Sequence, residues 1–213
     1  MTSTLRLILT RHGHSSTGAP SDIERPLSLD GRAQAYDLGG RLSRWPRAWL
    51  PQLILVSPAR RTQETLAQLV SAWPQLADVT TRTEDELYLA EPDRWLARLT
   101  PLSEERTVLC VGHNPGLSDL IGALSGEHEN LSVAEAVGLT LRSAPSAPSG
   151  PLSPPHAHAH TELTPEPKTD PSAGLSLRAA RGEAPWEEGR LWLKAPTGRW
   201  RLEGRVCGRA SEG

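Results

Sequence analysis

The sequence predicts an α/β fold, a three-layer αβα sandwich around a mostly parallel central sheet. Segments with strand character alternate with segments with helix character through residues 1–142, and this order is typical of connected βα units. The strand segments at 4–10, 53–56 and 107–111 are rich in apolar residues, as expected of strands covered by helices on both faces. A chain of 213 residues is long enough for one well-packed domain of this kind.

The first helix is predicted to begin after an N-cap at Ser28 and to end near residue 44. Helical spacing predicts that its inner face holds Leu29, Ala33, Tyr36, Gly40 and Leu42. A second helix is predicted to begin at Pro58, with Ser57 as its cap. Its inner face is predicted to hold Leu66, Leu69, Val70 and Trp73.

Further along the chain we expect a weak strand at 79–83 and a helix from 91 to 99. After the strand at 107–111, Asn114 and Pro115 are predicted to cap another helix, and a strand is expected at about 136–141. Residues 1–142 are therefore assigned to the α/β core.

Composition changes at residue 143. Residues 143–185 hold nine of the chain's 19 prolines and no aromatic residue. Such a segment buries too little apolar surface to offset its ordering entropy, so we predict a flexible Pro-rich insertion. Alternating apolar residues return at 189–206, and residues 186–213 are predicted to form a hairpin that completes the same domain.

Charge and composition exclude several classes. The formal net charge is −2 and no basic block stands out, which argues against a nucleic-acid-binding protein. The apolar run at 7–9 is too short for a signal peptide or a membrane helix. Cys110 and Cys207 form neither a disulfide framework nor a metal-ligand spacing. We therefore expect a cytoplasmic protein with no membrane partner.

The histidine triplet His156, His158 and His160 would face one way in an extended strand and suggests a Zn²⁺ site. It lies in the Pro/Ala-rich insertion, however, with no cysteine nearby. We interpret it as part of a linker.

Arginine and histidine residues follow the carboxyl ends of three predicted strands. Ligands of open α/β sheets bind at the carboxyl ends of the strands. The first strand is followed by Arg11 and His12, the second by Arg61, and the fourth by His113. Arginine forks neutralise a phosphoryl group without a metal ion, and an imidazole can attack it to form a phosphohistidine. We expect a phosphate site that needs no metal or other cofactor.

Three sequence motifs resemble those of the histidine phosphatase superfamily, which has the phosphoglycerate mutase-like fold: 10–13 (TRHG), 57–65 (SPARRTQET) and 111–116 (VGHNPG). Segments 22–28 and 86–90 are similar to the small SixA-type phosphohistidine phosphatases. The resemblance covers residues 4–142 and resumes near Trp186. It implies a phosphatase that acts through a covalent phosphohistidine.

The resemblance also implies roles for single residues. His12 matches the nucleophile, and Arg11, Arg61 and His113 match the groups that bind the phosphoryl oxygens. A carboxylic acid is expected to protonate the leaving group, and Glu86 is the first candidate, with Glu84 next. Ser15 is a candidate phosphate contact, whereas His14 is as consistent with a hydrogen-bonded loop residue as with a substrate contact.

The substrate stays open between a phosphohistidine-bearing protein and a small phosphate monoester. One alternative is a phosphoglycerate mutase-like phosphotransferase, although the short segments between the motifs favour an open site without a lid. The other alternative is a phosphate-binding module without catalysis, which would not require a nucleophile at position 12.

Overall fold

The structure, a computed structural model, describes residues 4–100, 102, 107–127, 129–142 and 200–209. In these residues the chain forms six strands, β1 Thr4–Arg11, β2 Leu53–Val56, β3 Thr80–Thr83, β4 Thr107–Gly112, β5 Glu135–Arg142 and β6 Arg201–Cys207. It also forms four α-helices, α1 Leu29–Leu42, α2 Arg60–Ala72, α3 Pro92–Leu99 and α4 Gly116–Ser125. The predicted strands and helices of residues 4–142 are all present, with bounds shifted by one to a few residues.

The strands form one sheet in the order β3-β2-β4-β1-β5-β6. Strands β1, β2, β3 and β4 pair in parallel, whereas β5 runs antiparallel to β1 and β6 antiparallel to β5. Because β2, β4 and β1 are neighbours, their carboxyl ends lie side by side at one edge of the sheet.

Apolar side chains alternate along the strands and pack into two separate hydrophobic cores, one on each face of the sheet. Ile8 and Ile54 pack with Leu38 of α1 and Leu69 of α2 on one face. On the other face the strands pack against α3 and α4, where Trp95 is fully buried. Helices on both faces of a mostly parallel sheet make the predicted three-layer αβα sandwich, so the predicted fold class is confirmed.

The inner face of α1 differs from the prediction. Leu29 is 86% exposed and Tyr36 is 53% exposed. The helix instead buries Gly31, Ala35, Leu38, Gly39 and Leu42, so Leu42 alone was predicted correctly. The reason is close helix packing, because a Cβ on Gly39 would come within 3.0 Å of the backbone of Leu69 in α2. The buried face of α1 thus combines small residues with Leu38 and Leu42.

Two predicted helix caps are also wrong, while a third is confirmed. Ser28 caps α1 by accepting from the amide of Gly31 at 3.0 Å. Helix α2, however, begins at Arg60, and its N-cap makes no side-chain hydrogen bond. The side chain of Asn114 does not cap α4 either, but donates to the carbonyl of Leu131. Ser57 and Asn114 thus keep their side chains for other partners.

The C-terminal part of the described chain joins the sheet through β6, which pairs with β5 over a register from Glu135–Cys207 to Thr140–Arg201. The predicted first strand of the hairpin, the insertion at 143–185 and the histidine triplet lie outside the described residues. Among the residues that the structure describes, no helix is long and apolar enough to cross a membrane.

Candidate active site

The three neighbouring strand ends converge on one pocket. Arg11 ends β1, His12 follows it, and His113 follows β4. Arg61 lies in the first turn of α2, just after β2. All four, together with Ser15, line a cavity of about 370 Å³. The structure therefore brings together every predicted site residue except the proposed proton donor.

Hydrogen bonds at both nitrogens of the His12 ring fix which of them carries the proton. Its Nδ1 lies 2.8 Å from the carbonyl oxygen of Gly13, and because a carbonyl only accepts, Nδ1 carries the proton. Nε2 is then unprotonated and accepts from Nε of Arg61 at 3.3 Å. Burial, and then the charges of Arg61 and other arginines, lower the pKa of His12 to about 4. The lone pair on Nε2 is available at neutral pH.

The backbone that carries His12 is pressed against its neighbours. A Cβ on Gly13 would lie 2.5 Å from the carbonyl oxygen of Gly31 in α1, so only glycine fits there. The amide of Gly13 donates to Oγ1 of Thr65, which in turn donates to the carbonyl of Arg61. One threonine thus links the nucleophile's loop to the turn that carries Arg61.

The two arginines of the site have different environments. The Arg61 side chain is only 4% exposed and donates from Nη1 to the Asp22 carbonyl and from Nη2 to the Asp22 carboxylate. Arg11 donates from Nη1 to the carbonyl of Leu131 at 2.8 Å, and its Nε is buried with no partner in the described part of the chain. Both guanidinium groups keep N–H donors that no described residue occupies.

His113 lies beside the nucleophile. The centroids of the His12 and His113 rings are 5.2 Å apart, and the rings are inclined by 62°. Nε2 of His113 is 2.7 Å from the buried hydroxyl of Ser57, whereas Nδ1 is buried without a partner among the described residues. Burial, then the charges of His12 and Arg61, lower the pKa of His113 to about 3.

Sequence reasoning missed the acidic residue of the pocket, Asp22. Its Oδ1 accepts from Arg25 at 3.0 Å, and its Oδ2 accepts from the Tyr88 hydroxyl at 2.6 Å and from Arg61 at 2.9 Å. These hydrogen bonds, with that of Tyr88 the largest cause and that of Arg25 next, hold the pKa of the carboxyl well below its usual range. Asp22 lies in the 22–28 motif, but an irregular loop carries no periodic signal that points to a role.

Arg25 is a third arginine of the pocket that the sequence analysis did not assign. It donates from Nη2 to the hydroxyl of Ser15 at 2.8 Å and from Nε to the carbonyl of Ser16 at 2.9 Å. His14 also lines the cavity, and its Nδ1 is 3.0 Å from the hydroxyl of Ser28. The β1–α1 loop thus builds one side of the pocket.

The structure does not place Glu86 or Glu84 in the pocket. Glu86 lies on a short 3₁₀ turn, and its carboxylate is 2.5 Å from Nη2 of Arg98 in α3. Glu84 is 3.6 Å from the same guanidinium. Leu87, which follows the two glutamates in the chain, is fully buried. Of the next two residues, Tyr88 donates to Asp22 and Leu89 lines the cavity.

Leu89 has an unusual backbone at the pocket mouth. Its φ is 48°, in the left-handed region that bulky residues rarely adopt, and its side chain is 52% exposed.

Among the described residues, no group of three or more His, Cys, Asp or Glu side chains is arranged to hold a metal ion.

Comparison with known proteins agrees with this geometry. The sequence profile of the histidine phosphatase superfamily (branch 1) matches residues 7–91. A chloroplastic protein of Arabidopsis thaliana, itself uncharacterized, is 36% identical over 143 residues, which is 62% of this chain. The matched region spans 64% of the length of that relative.

Solved structures of similar fold include two candidate phosphohistidine phosphatases SixA. That of Agrobacterium tumefaciens is 26% identical with a TM-score of 0.59, and the match covers 66% of this chain and 98% of that one. That of Nakamurella multipartitia is 24% identical with a TM-score of 0.57, covering 68% of this chain and 98% of that one.

The match to the histidine phosphatase superfamily (branch 1) thus covers the part of the chain that holds Arg11, His12 and Arg61. The chain is also similar to the SixA-type proteins, as the sequence motifs indicated. These similarities support a phosphatase-type function.

Proposed function

We propose that this protein hydrolyses phosphorylated substrates without a metal ion, through a covalent phosphohistidine on His12. The observation that carries the proposal is the state of the His12 ring. Nδ1 carries the proton and donates it in a hydrogen bond to the Gly13 carbonyl, so Nε2 keeps its lone pair inside a pocket lined by cations. A nucleophile that is unprotonated at neutral pH needs no separate base to activate it.

Binding of the phosphoryl group is assigned to Arg11, Arg61 and His113. Arg61 uses three of its five N–H groups on His12 and Asp22, so two remain for phosphoryl oxygens. Preorganised donors of this kind stabilise the charge spread over the equatorial oxygens during transfer. The Ser15 hydroxyl accepts from Arg25 and keeps its own proton for a phosphate contact.

The role of His113 depends on its tautomer. A ring nitrogen binds a phosphoryl oxygen only when it carries a proton. In the tautomer that fits this role, the Ser57 hydroxyl donates to Nε2, and the proton lies on Nδ1, the nitrogen without a partner. Since its pKa is lowered to about 3, the ring is a neutral donor at working pH.

The second half of the reaction releases phosphate. Water attacks the phosphorus, the bond to Nε2 of His12 breaks, and its electron pair returns to that nitrogen. Because Nδ1 stays protonated and hydrogen-bonded to the Gly13 carbonyl, His12 leaves as a neutral imidazole and needs no further proton donor. Both a phosphohistidine-bearing protein and a small phosphate monoester are consistent with this cycle.

The test is phosphate release from an aryl phosphate in excess EDTA, with wild type, His12→Ala and Glu86→Gln compared. Wild type and Glu86→Gln are expected to turn over equally, because Glu86 is bound to Arg98 outside the pocket, and His12→Ala is expected to be inactive. Activity that requires a metal ion, or that survives without His12, contradicts the mechanism. Binding of phosphate by wild type without turnover would instead indicate a binding module.

A further inference from the structure

Residues 129–134, which connect α4 to β5, contact the first two residues of the site. The carbonyl of Leu131 accepts from Nη1 of Arg11 at 2.8 Å, and the amide of Ala134 donates to the carbonyl of His12 at 3.0 Å. The direction of the Arg11 guanidinium therefore depends on where this connection places the Leu131 carbonyl.

The connection has to be held by its neighbours. None of its six residues belongs to a helix or a strand. Ala134 has a φ of 50°, in the left-handed region, and such a conformation persists only when the surrounding contacts fix it. One of these contacts comes from Gly208, just after β6, whose amide donates to the carbonyl of Ala134 at 2.8 Å.

Arg205 of β6 holds the connection on both sides of Leu131. Its guanidinium donates to three residues, namely to the carbonyl of Asn130 at 2.8 Å and to the carboxylates of Glu129 and Glu135. The Glu135 carboxylate, whose side chain is only 6% exposed, also accepts from the amide of Ser132 at 2.6 Å. One arginine thus fixes the backbone before Leu131 directly and the backbone after it through Glu135.

The geometry of this contact requires an arginine. A guanidinium presents five N–H donors in a rigid fork, whereas the donors of a lysine all leave from one nitrogen atom. Arg201, on the same strand, provides a contrast, because its side chain is 82% exposed and its carboxylate partner Glu203 is 4.0 Å away. The two arginines of β6 therefore have different environments.

We propose that Arg205 is a positioning residue of the phosphate site, which aligns Arg11 for the phosphoryl group by fixing the Leu131 carbonyl. The proposal rests on the proposed function, because the direction of Arg11 matters only in a pocket that binds a phosphoryl group. Arg205 lies in none of the sequence motifs, and the chain reaches it only after residues 143–185. The site would thus be completed by a strand that follows the Pro-rich segment.

The experiment is a double-mutant cycle on the full chain, with Arg205→Lys and Arg11→Ala alone and combined. Lysine keeps a positive charge beside the buried Glu135, so the variant is expected to fold, but one ammonium group cannot reach all three partners of the arginine. Two quantities are measured, the Kd for inorganic phosphate and kcat/KM for p-nitrophenyl phosphate. Arg205→Ala is included as the variant that removes every contact.

Arg205→Lys is expected to weaken phosphate binding and to lower kcat/KM by about 5- to 10-fold when Arg11 is present, and by less than about 2-fold in the Arg11→Ala chain. Arg205→Ala should lose more than Arg205→Lys. Arg201→Lys is the matched control and should change neither quantity by more than about 2-fold. Thermal denaturation establishes that each variant is folded at the temperature of the assay.

Two results would overturn the role of Arg205 and leave the proposed function intact. Equal losses with and without Arg11 would mean that Arg205 stabilises the fold without aligning Arg11. Unchanged phosphate affinity and kcat/KM in both Arg205 variants would mean that the Leu131 carbonyl is held without it. A wild type that binds phosphate with the expected coupling but does not hydrolyse p-nitrophenyl phosphate would contradict the proposed hydrolysis and support the positioning role. A wild type that neither binds phosphate nor turns over would contradict both.

Discussion

The candidate pocket has two walls that the chain builds in different ways. The strand-end wall consists of Arg11, His12, Arg61 and His113, which end or follow neighbouring parallel strands. The loop wall consists of Ser15, Asp22, Arg25 and Leu89, which lie on the irregular connections after β1 and β3. On the first wall the Arg61 side chain is 4% exposed, whereas on the second the Asp22 side chain is 44% exposed.

The two walls are expected to have different roles, the strand-end wall in the phosphoryl-transfer reaction and the loop wall in the choice of substrate. The strand-end wall rests on backbone that the sheet fixes from both sides, so its reacting atoms are held in place. The loop wall touches the same cavity through hydrogen bonds between side chains and loops, which a different sequence could rearrange without disturbing the sheet. We therefore expect changes to the strand-end wall to abolish turnover and changes to the loop wall to alter substrate preference or stability.

The largest expected effect that tests this division comes from two neighbouring arginines. Arg61→Ala removes donors to the transferring phosphoryl group and should lower kcat/KM by about 10²- to 10³-fold. Arg60→Ala is the matched control, because Arg60 is exposed and bonded to Glu64, and it should change kcat/KM by less than about 3-fold. Similar losses in both variants, with both proteins folded by thermal denaturation, would contradict the role of Arg61.

The second test is the dependence of kcat/KM on pH. His12 attacks only when unprotonated, and its pKa is lowered to about 4. We expect kcat/KM for an aryl phosphate to stay level between pH 5 and 7 and to fall about tenfold per unit below about pH 4. An acid limb near 6.5, the ordinary value for histidine, would show that His12 is not held in the buried, neutral state.

The same pKa shifts determine how the free energy of unfolding changes with pH. It should be measured at each pH at which kcat/KM is measured. Because folding lowers the pKa of His12 and of His113, the unfolded chain binds more protons below about pH 6.5. The free energy of unfolding should therefore fall as the pH decreases from about 6.5 towards the folded-state values near 4 and 3. Thermal denaturation at each pH separates this loss from protonation of the nucleophile.

A smaller effect is expected from Ser57→Ala. Without the hydroxyl, His113 loses the partner that favours a proton on Nδ1, and kcat should fall about tenfold. Ser71→Ala, on the exposed side of α2, is the control and should be unchanged. The direct readout is the ¹⁵N NMR spectrum of the His113 ring, which we expect to show the Nδ1–H tautomer in wild type and a mixture in Ser57→Ala. An Nε2–H tautomer in wild type would contradict the assignment.

The smallest effect concerns stability at the loop wall. Leu89 has a φ of 48° and a half-exposed side chain, so Leu89→Asn should relieve backbone strain while losing little burial. We expect the free energy of unfolding to rise by about 0.5–1 kcal/mol, measured by urea denaturation. Leu29→Asn, at an exposed leucine of α1, is the control and should give no increase. A loss of stability in Leu89→Asn would mean that Leu89 packs more than its exposure indicates.

The two walls also differ in how far the sequence predicted them. His12, Arg61 and His113 could be placed because parallel strands deliver their carboxyl ends to one edge, whatever the details of packing. Asp22 and Arg25 could not, because a loop has no repeating pattern that says where a side chain points. Segment 22–28, which contains both residues, is similar to the SixA-type proteins, but this similarity alone assigns no role to either residue.

The places where the structure differs from the sequence pattern all involve tertiary contacts. Glu86 has the chemistry of a proton donor, yet its carboxylate is paired with Arg98 and it is not among the residues that line the cavity. In α1 the predicted inner face included Leu29 and Tyr36, which are exposed, whereas contact with α2 requires the glycine at position 39. Ser57 was predicted to cap a helix, but its hydroxyl contacts His113. Each error concerns tertiary contact, which local pattern does not encode.

Trapping the covalent intermediate tests most directly whether His12 is the nucleophile. Wild type and His12→Ala are mixed with phosphoimidazole in excess EDTA, quenched in alkali, where phosphohistidine survives, and mapped by mass spectrometry. We expect one phosphoryl group on His12 of wild type and none on the variant, which should also release no phosphate. A phosphoryl group on another residue, or undiminished phosphate release by His12→Ala, would contradict it.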